Sequence, residues 1–390
     1  MGYLRNAILG LAAGAAANGG LQAQEAFRST VPSLVFSADD QTSGYRANTM
    51  FVRPHSGPGA LTALDFSVFP PRIWHRENVP CSVIGPPTCV ASTPGGETIL
   101  VAGAMKVDPT DPAKLTYDRR VTRLHWGPRG LEQVAQLEVG RQPSAVALAN
   151  GGQRAYVTLR AEGTVAILDL PGRELRLAAV VAIAGPSDSL SDFALSPDGT
   201  EALASVNAKG AVLALQVLSD GLKVTQELAV SPSPYDIKFL PDGRRALVGD
   251  TRGETIVALA KDHGRWKIAQ WIPVGHATEG VSVSPDGRWA AVSCFNGATS
   301  PGPQDRWYRK PSRIYLLAST PDGGWVQRQA VEVDSMPQSA VFTPDGHYLV
   351  AGEYGLGDLR IFRLEKGEWN DTGLHIAIPG QPAALEAAGR

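Results

Sequence analysis

Asp192-Phe193-Ala194-Leu195-Ser196-Pro197-Asp198-Gly199 is the stretch on which the fold turns. A short apolar run enters Pro-Asp-Gly. Proline presets φ, the aspartate side chain bonds its own backbone, and glycine accepts positive φ, so the chain reverses. A strand before the turn and a strand after it make a hairpin. The tripeptide recurs at Pro241-Asp242-Gly243, Pro285-Asp286-Gly287 and Pro344-Asp345-Gly346, with degenerate copies at Pro94-Gly95-Gly96 and Ala149-Asn150-Gly151. Second strands follow, as in Arg154-Ala155-Tyr156-Val157 and His347-Tyr348-Leu349-Val350.

Working outward, a third strand follows each pair, as in Thr164 to Leu168 and Ser312 to Leu316. A fourth opens after glycine: Gly130-Leu131, Gly221-Leu222, Gly264-Arg265-Trp266, Gly324-Trp325 and Gly367-Glu368-Trp369. Pro321-Asp322-Gly323 belongs between a third and a fourth strand. Four antiparallel strands per unit define a propeller blade. The residue five before each turn is Cys89, Ser144, Asp192, Asp236, Gly280 or Ser339, at intervals of 55, 48, 44, 44 and 59 residues by subtraction. These sit near the roughly 40–50 residues of propeller repeats. Gln381 to Leu385 begins a further inner strand with no blade behind it, whereas the region from Val31 to Arg76 offers outer strands without an inner one. The expected fold is all-β: a seven-bladed β-propeller with four antiparallel strands per blade, its ring closed by the N- and C-terminal strands in one blade. Closure removes exposed sheet edges.

Composition agrees. Glycine (42) and proline (29) are abundant in the 390 residues, and the formal net charge is −2. That balance predicts no broad attraction to nucleic acid or anionic membranes. Arg5, the apolar run Ile8 to Ala17 and Leu21-Gln22-Ala23 read as a cleaved secretory signal over residues 1–23, ahead of a propeller over 24–390. The run is too short to span a bilayer. Periplasmic or secreted location and a monomer are expected. Cys81 and Cys89 could close a small loop in an oxidising compartment or stay as thiols; Cys294 sits in a strand-like run and reads as a buried thiol.

The Pro-Asp-Gly turns occupy one face of the ring. The loops between second and third strands, and those joining blades, emerge on the other. Two long insertions lie there: Lys106 to Arg120, including Arg119, and Asn296 to Pro311, including Arg306, Trp307, Tyr308 and Arg309. Long loops on a rigid scaffold are common carriers of function. Their aromatic and guanidinium groups could stack on and ion-pair with a small anionic or carbohydrate ligand. Ser144, His276, Ser339 and Glu353 are further ligand-binding candidates on this face.

At the channel mouth, Asp192 and Asp236 begin adjacent inner strands and Glu279 lies one residue before the next equivalent position. Three such carboxylates could hold a hard cation such as Ca²⁺ or raise one another's pKa for acid/base work, with Arg306 as a basic partner. There is no Walker loop, dinucleotide fingerprint, Cys-x-x-Cys or Gly-x-Ser-x-Gly. The seven histidines show no metal-ligand spacing.

Pro143 to Gly152, with Arg154 to Thr158 and Thr164 to Leu170, resembles the YVTN/YncE-type propeller repeat. The openings at Asp262 to Trp266, Asp322 to Trp325 and Lys366 to Trp369 resemble the seven-bladed lactonase family, which includes 6-phosphogluconolactonase. The resemblance spans about residues 85–385 and implies lactone hydrolysis at the channel mouth. The family places histidine near the start of some inner strands; Ser144, Asp192, Asp236, Gly280 and Ser339 depart from that pattern. Two functions are therefore expected: binding of a small molecule or protein on the loop face, or action as a lactonase-like hydrolase or lyase on a sugar-type or lactone substrate at the channel mouth.

Overall fold

The computed structural model describes residues 33–46, 49–149 and 151–389. The signal-like segment and Asn150 lie outside them. Seven four-stranded antiparallel sheets follow one another around a ring. Blades two to seven each run from the inside outward in chain order. The fourth blade, for example, comprises Leu190–Leu195, Glu201–Val206, Ala211–Val217 and Leu222–Ala229. The first blade is composite. Its inner strand is Gln381–Ala387, which pairs with Leu34–Asp40, followed outward by Ala60–Asp65 and Arg72–Glu77. Val35, Leu64, Val341, Val350 and Leu385 pack together across that closure seam.

The turns form as their chemistry requires. Gly199, Gly243, Gly287 and Gly346 have φ of 71°, 64°, 68° and 72°. Asp242 Oδ1 accepts the Arg244 N–H at 2.8 Å, and Asp286 and Asp345 accept the equivalent N–H at 3.0 Å. Pro321-Asp322-Gly323 joins Ser312–Ser319 to Trp325–Val333, a third to a fourth strand.

Neighbouring blades are tied at two radii. On the outer strands, Gln226 donates to the Trp266 carbonyl at 2.7 Å and accepts the Trp266 N–H at 3.0 Å. Gln270 treats Trp325 the same way, and Gln329 treats Trp369 the same way. On the inner strands, Asp192 Oδ2 accepts the Ile237 N–H at 2.8 Å and Asp236 Oδ2 accepts the Val281 N–H at 2.7 Å. Between these ties the apolar alternate positions of adjoining sheets interdigitate.

Three insertions interrupt second-to-third connections. The insertion in blade two carries a hairpin, Met105–Val107 with Leu115–Tyr117, and that in blade six carries a 3-10 turn at Asn296–Thr299. The third, in the composite blade, carries Ser43–Arg46 paired with Thr49–Val52. Cys81, Cys89 and Cys294 are buried free thiols. Among the described residues, no helix is long and apolar enough to cross a membrane.

Candidate functional site

The loop-rich face opens into a pocket of about 710 Å³ over the central channel. Its floor consists of Tyr235, Glu279 and Gln338, each at or near the start of an inner strand. Its wall comes from residues just after second strands, including Arg160, Arg252 and Tyr354, and from inter-blade connections, including Gln142, His276 and Met336. Three of those connection residues, Gln142, Ala277 and Met336, hold φ of 58°, 52° and 43°. Such conformations are costly for these residue types and persist where surrounding structure enforces them.

The segment between the first two blades closes one side. Asp40 organises it: Oδ1 accepts the Thr42 and Ser43 N–H groups at 2.7 and 3.0 Å, and Oδ2 accepts the Val83 N–H at 3.0 Å. Tyr354 adds its hydroxyl to the Ser43 carbonyl at 2.9 Å. Gly85 is required there by space as well as by its φ of 114°. A Cβ would stand 2.1 Å from Ser144 Oγ and 3.8 Å from Arg160 Nη1.

Arg160 lies with Cζ 5.7 Å from the Tyr235 ring centre. Its Nη1 is inaccessible to solvent and makes no hydrogen bond among the described residues. Glu279 accepts a long 3.4 Å hydrogen bond from Gln338 Nε2. Withdrawal from water, with Asp236 nearby, pushes the Glu279 carboxyl up to about 8, although Arg160 and Gln338 oppose this. Burial likewise pushes the Tyr235 phenol upward.

His276 is held from outside the pocket. Its Nδ1 lies 3.5 Å from Glu254 Oε1, and its ring stacks on Trp307 at 5.9 Å and 18°. Its backbone N–H donates to Asn296 Oδ1 at 2.9 Å. Trp307 Nε1 donates to Glu254 Oε1 at 2.8 Å, and Arg306 pairs with Oε2. Desolvation opposes ionisation of Glu254, yet the bonds from Arg306 and Trp307 hold it below the usual glutamate value. The blade-six insertion therefore fixes the histidine.

The other candidate residues take different places. Both oxygens of Asp192 are occupied, Oδ1 by the Thr88 hydroxyl at 2.9 Å and Oδ2 by Ile237. Asp192 faces the far half of the channel, among Lys238 and Glu386. Asp236 meets Lys238 at 3.1 Å. Asp192, Asp236 and Glu279 do not gather as a three-ligand group. Among the described residues, the group whose ligand atoms all lie within 4.8 Å of one another is Glu353, Asp358 and His375. Ser144 is buried beneath Gly85, and Ser339 is buried beside Gly280. Arg119 is exposed, and Arg309 sits 5.1 Å from the Tyr308 ring. Arg119, Arg306, Tyr308 and Arg309 are outside the pocket lining.

Arg160, Gln142, Tyr235, Gln338 and the Val83 to Gly85 segment carry the site without having been singled out in the sequence. Tyr235 and Gln338 did have a signal. They stand one residue before Asp236 and Ser339, the same offset that marked Glu279.

Fold and pocket define a seven-bladed β-propeller with a cavity at the loop-rich end of its channel. No protein-family model matches the chain, and no curated protein matches it by sequence. Solved structures do match by fold. A candidate 6-phosphogluconolactonase from Bacteroides uniformis aligns with TM-score 0.70 at 17% identity, over 91% of this chain and 98% of its own. The periplasmic gluconolactonase of Pseudomonas aeruginosa aligns at 0.64 and 18%, over 90% and 98%. Kuenenia stuttgartiensis hydrazine synthase aligns at 0.58 and 16%, over 89% and 99%. At such identities the likeness is one of fold, which does not dictate chemistry.

Proposed function

We propose that the chain is a lactonase-like hydrolase that opens a small sugar-type lactone in the pocket, working in the periplasm or outside the cell. The observation that carries this reading is the convergence in one cavity of the Arg160 guanidinium and a carboxyl group, Glu279, that burial pushes up to about 8. An ester carbonyl needs a donor where negative charge develops, and a leaving alkoxide needs a proton. The lactonase names of two fold neighbours and the signal-like N-terminus support the substrate class and the location.

In this mechanism His276, with Nδ1 turned to anionic Glu254, takes a proton from water at Nε2. The water oxygen forms a bond to the lactone carbonyl carbon, and Arg160 stabilises the oxyanion. Collapse breaks the bond to the ring oxygen, which receives the Glu279 proton, and a hydroxy acid results. The imidazolium proton then returns through solvent to the Glu279 carboxylate.

The test is acid release in a pH-stat from a panel of γ- and δ-lactones. Arg160→Ala should lower kcat/KM at least about 100-fold, the usual loss for one oxyanion donor. If no lactone is opened faster than in buffer, the hydrolase reading fails. Lactones that raise the melting temperature without turnover would instead mark a binding protein.

A further inference from the structure

The last blade carries a second cluster, away from the pocket. Glu353 ends its second strand and pairs directly with Asp358, which begins the third. His375 pairs with Arg360, two residues beyond Asp358, so all three side chains share one sheet face. His375 Nδ1 stands 3.0 Å from Asp358 Oδ2 and 4.0 Å from Glu353 Oε2. Glu353 has no solvent exposure, and its Oε2 and Asp358 Oδ1 are buried without hydrogen bonds. Glu353 Oε1 is satisfied separately by the Asp334 N–H at 2.6 Å.

We propose that Glu353, Asp358 and His375 bind a divalent transition-metal ion such as Zn²⁺. One ion about 2.1 Å from each donor needs donor atoms no more than about 4.2 Å apart. Both measured spacings from the imidazole meet this, and the third pair lies within 4.8 Å. An imidazole with two carboxylates favours a first-row transition ion over Ca²⁺ or Mg²⁺. The fourth position would face water beside His375, which is 39% exposed.

Two observations argue that the cluster is not a requirement of the scaffold. The equivalent trio is Leu159, Thr164 and Val180 in blade three, Val206, Ala211 and Glu227 in blade four, and Asp250, Thr255 and Trp271 in blade five. None of these combines two carboxylates with a histidine. Arg360, the cation on the same face, is engaged by Asp371 at 2.5 Å and by Asp334 at 3.5 Å. A buried, unbonded carboxylate oxygen calls for a positive partner, and Arg360 is already committed.

The experiment uses the untagged full chain, stripped with a chelator and titrated calorimetrically with Zn²⁺ and, separately, with Ca²⁺, together with melting curves. The parent should take one equivalent of Zn²⁺ and melt at a higher temperature with it. His375→Ala should weaken binding by more than about 100-fold, beyond the usual effect of changing a mere supporting residue. Asp358→Asn should weaken it as well. His263→Ala, at an almost fully exposed turn, should leave it unchanged. Because Glu353→Gln could fail to fold, the His375 variant carries the decision. A parent that does not bind Zn²⁺, one that prefers Ca²⁺, or a His375→Ala chain that binds as tightly as the parent overturns the proposal.

Discussion

Asp236 Oδ2 accepts the backbone N–H of Val281 at 2.7 Å, so the carboxylate that begins one inner strand is hydrogen-bonded into the middle of the next. Asp192 does the same for Ile237. A ring of blades has no covalent link between neighbouring inner strands at that depth, and these two aspartates supply a directional one.

Asp236→Ala should therefore destabilise the propeller by about 1–3 kcal/mol, the cost of leaving a buried N–H unbonded. Unpairing Lys238 adds less, because 35% of its side chain reaches channel water. Asp236→Asn keeps an acceptor and should cost less than alanine. Urea unfolding should show a lower midpoint with an unchanged slope. An alanine variant as stable as the parent would refute the latch.

The outer ties make a parallel prediction. Gln270 bonds both the N–H and the carbonyl of Trp325 at 2.9 Å. Gln270→Leu keeps most of the bulk but abandons both backbone groups. We expect a loss of about 1–2 kcal/mol, tempered by partial solvent access. Amide exchange should quicken at Trp325 before it quickens on the inner strands.

Stability should fall as pH rises through the weakly acidic range. Asp39 has no solvent exposure, and burial, opposed by bonds from Ser37 and Thr62, raises its carboxyl from 3.8 to about 7. The folded chain holds that proton where the unfolded chain has released it. The contribution is thus complete below 3.8 and is lost progressively up to about 7. It is on the order of a few kcal/mol, at about 1.4 kcal/mol per unit. Asp39→Asn should flatten the slope between those values in urea titrations run at several pH values, leaving the parts due to the other raised carboxyls, among them Asp236 and Glu386 at about 7 and Glu279 at about 8.

For catalysis, Glu279 must be protonated to deliver its proton, so kcat should decline above about pH 8. Glu279→Gln should lower kcat about 100-fold or more and abolish that alkaline limb. A Gln variant that keeps the parent's pH profile would move the acid role to another residue.

The ring was legible because its signals are local. Pro-Asp-Gly at Pro197, Pro241, Pro285 and Pro344 specifies turns by φ preference and side-chain bonding alone, and the count from them located the inner strands and the orphan strand at Gln381. Glu279 was within reach because it stands one residue before a counted position, and His276 because it lies nearby, in the connection that leads to the same strand. Arg160 was not, since nothing in Leu159-Arg160-Ala161 distinguishes a pocket guanidinium from a solvated one. Nor was the grouping of Glu353, Asp358 and His375, whose spacing in the chain follows strand pairing rather than any ligand motif.

The sequence by itself determined the turns and the strand periodicity, because each follows from backbone preference and alternation over a few residues; it pointed to seven blades with a shared closing blade, and the strand pairing of Gln381–Ala387 with Leu34–Asp40 decided the count. Tertiary structure alone decided which polar groups meet. Whether a carboxylate is a latch, like Asp192, or a candidate acid, like Glu279, depends on which N–H groups and how much water the neighbouring blades bring to it.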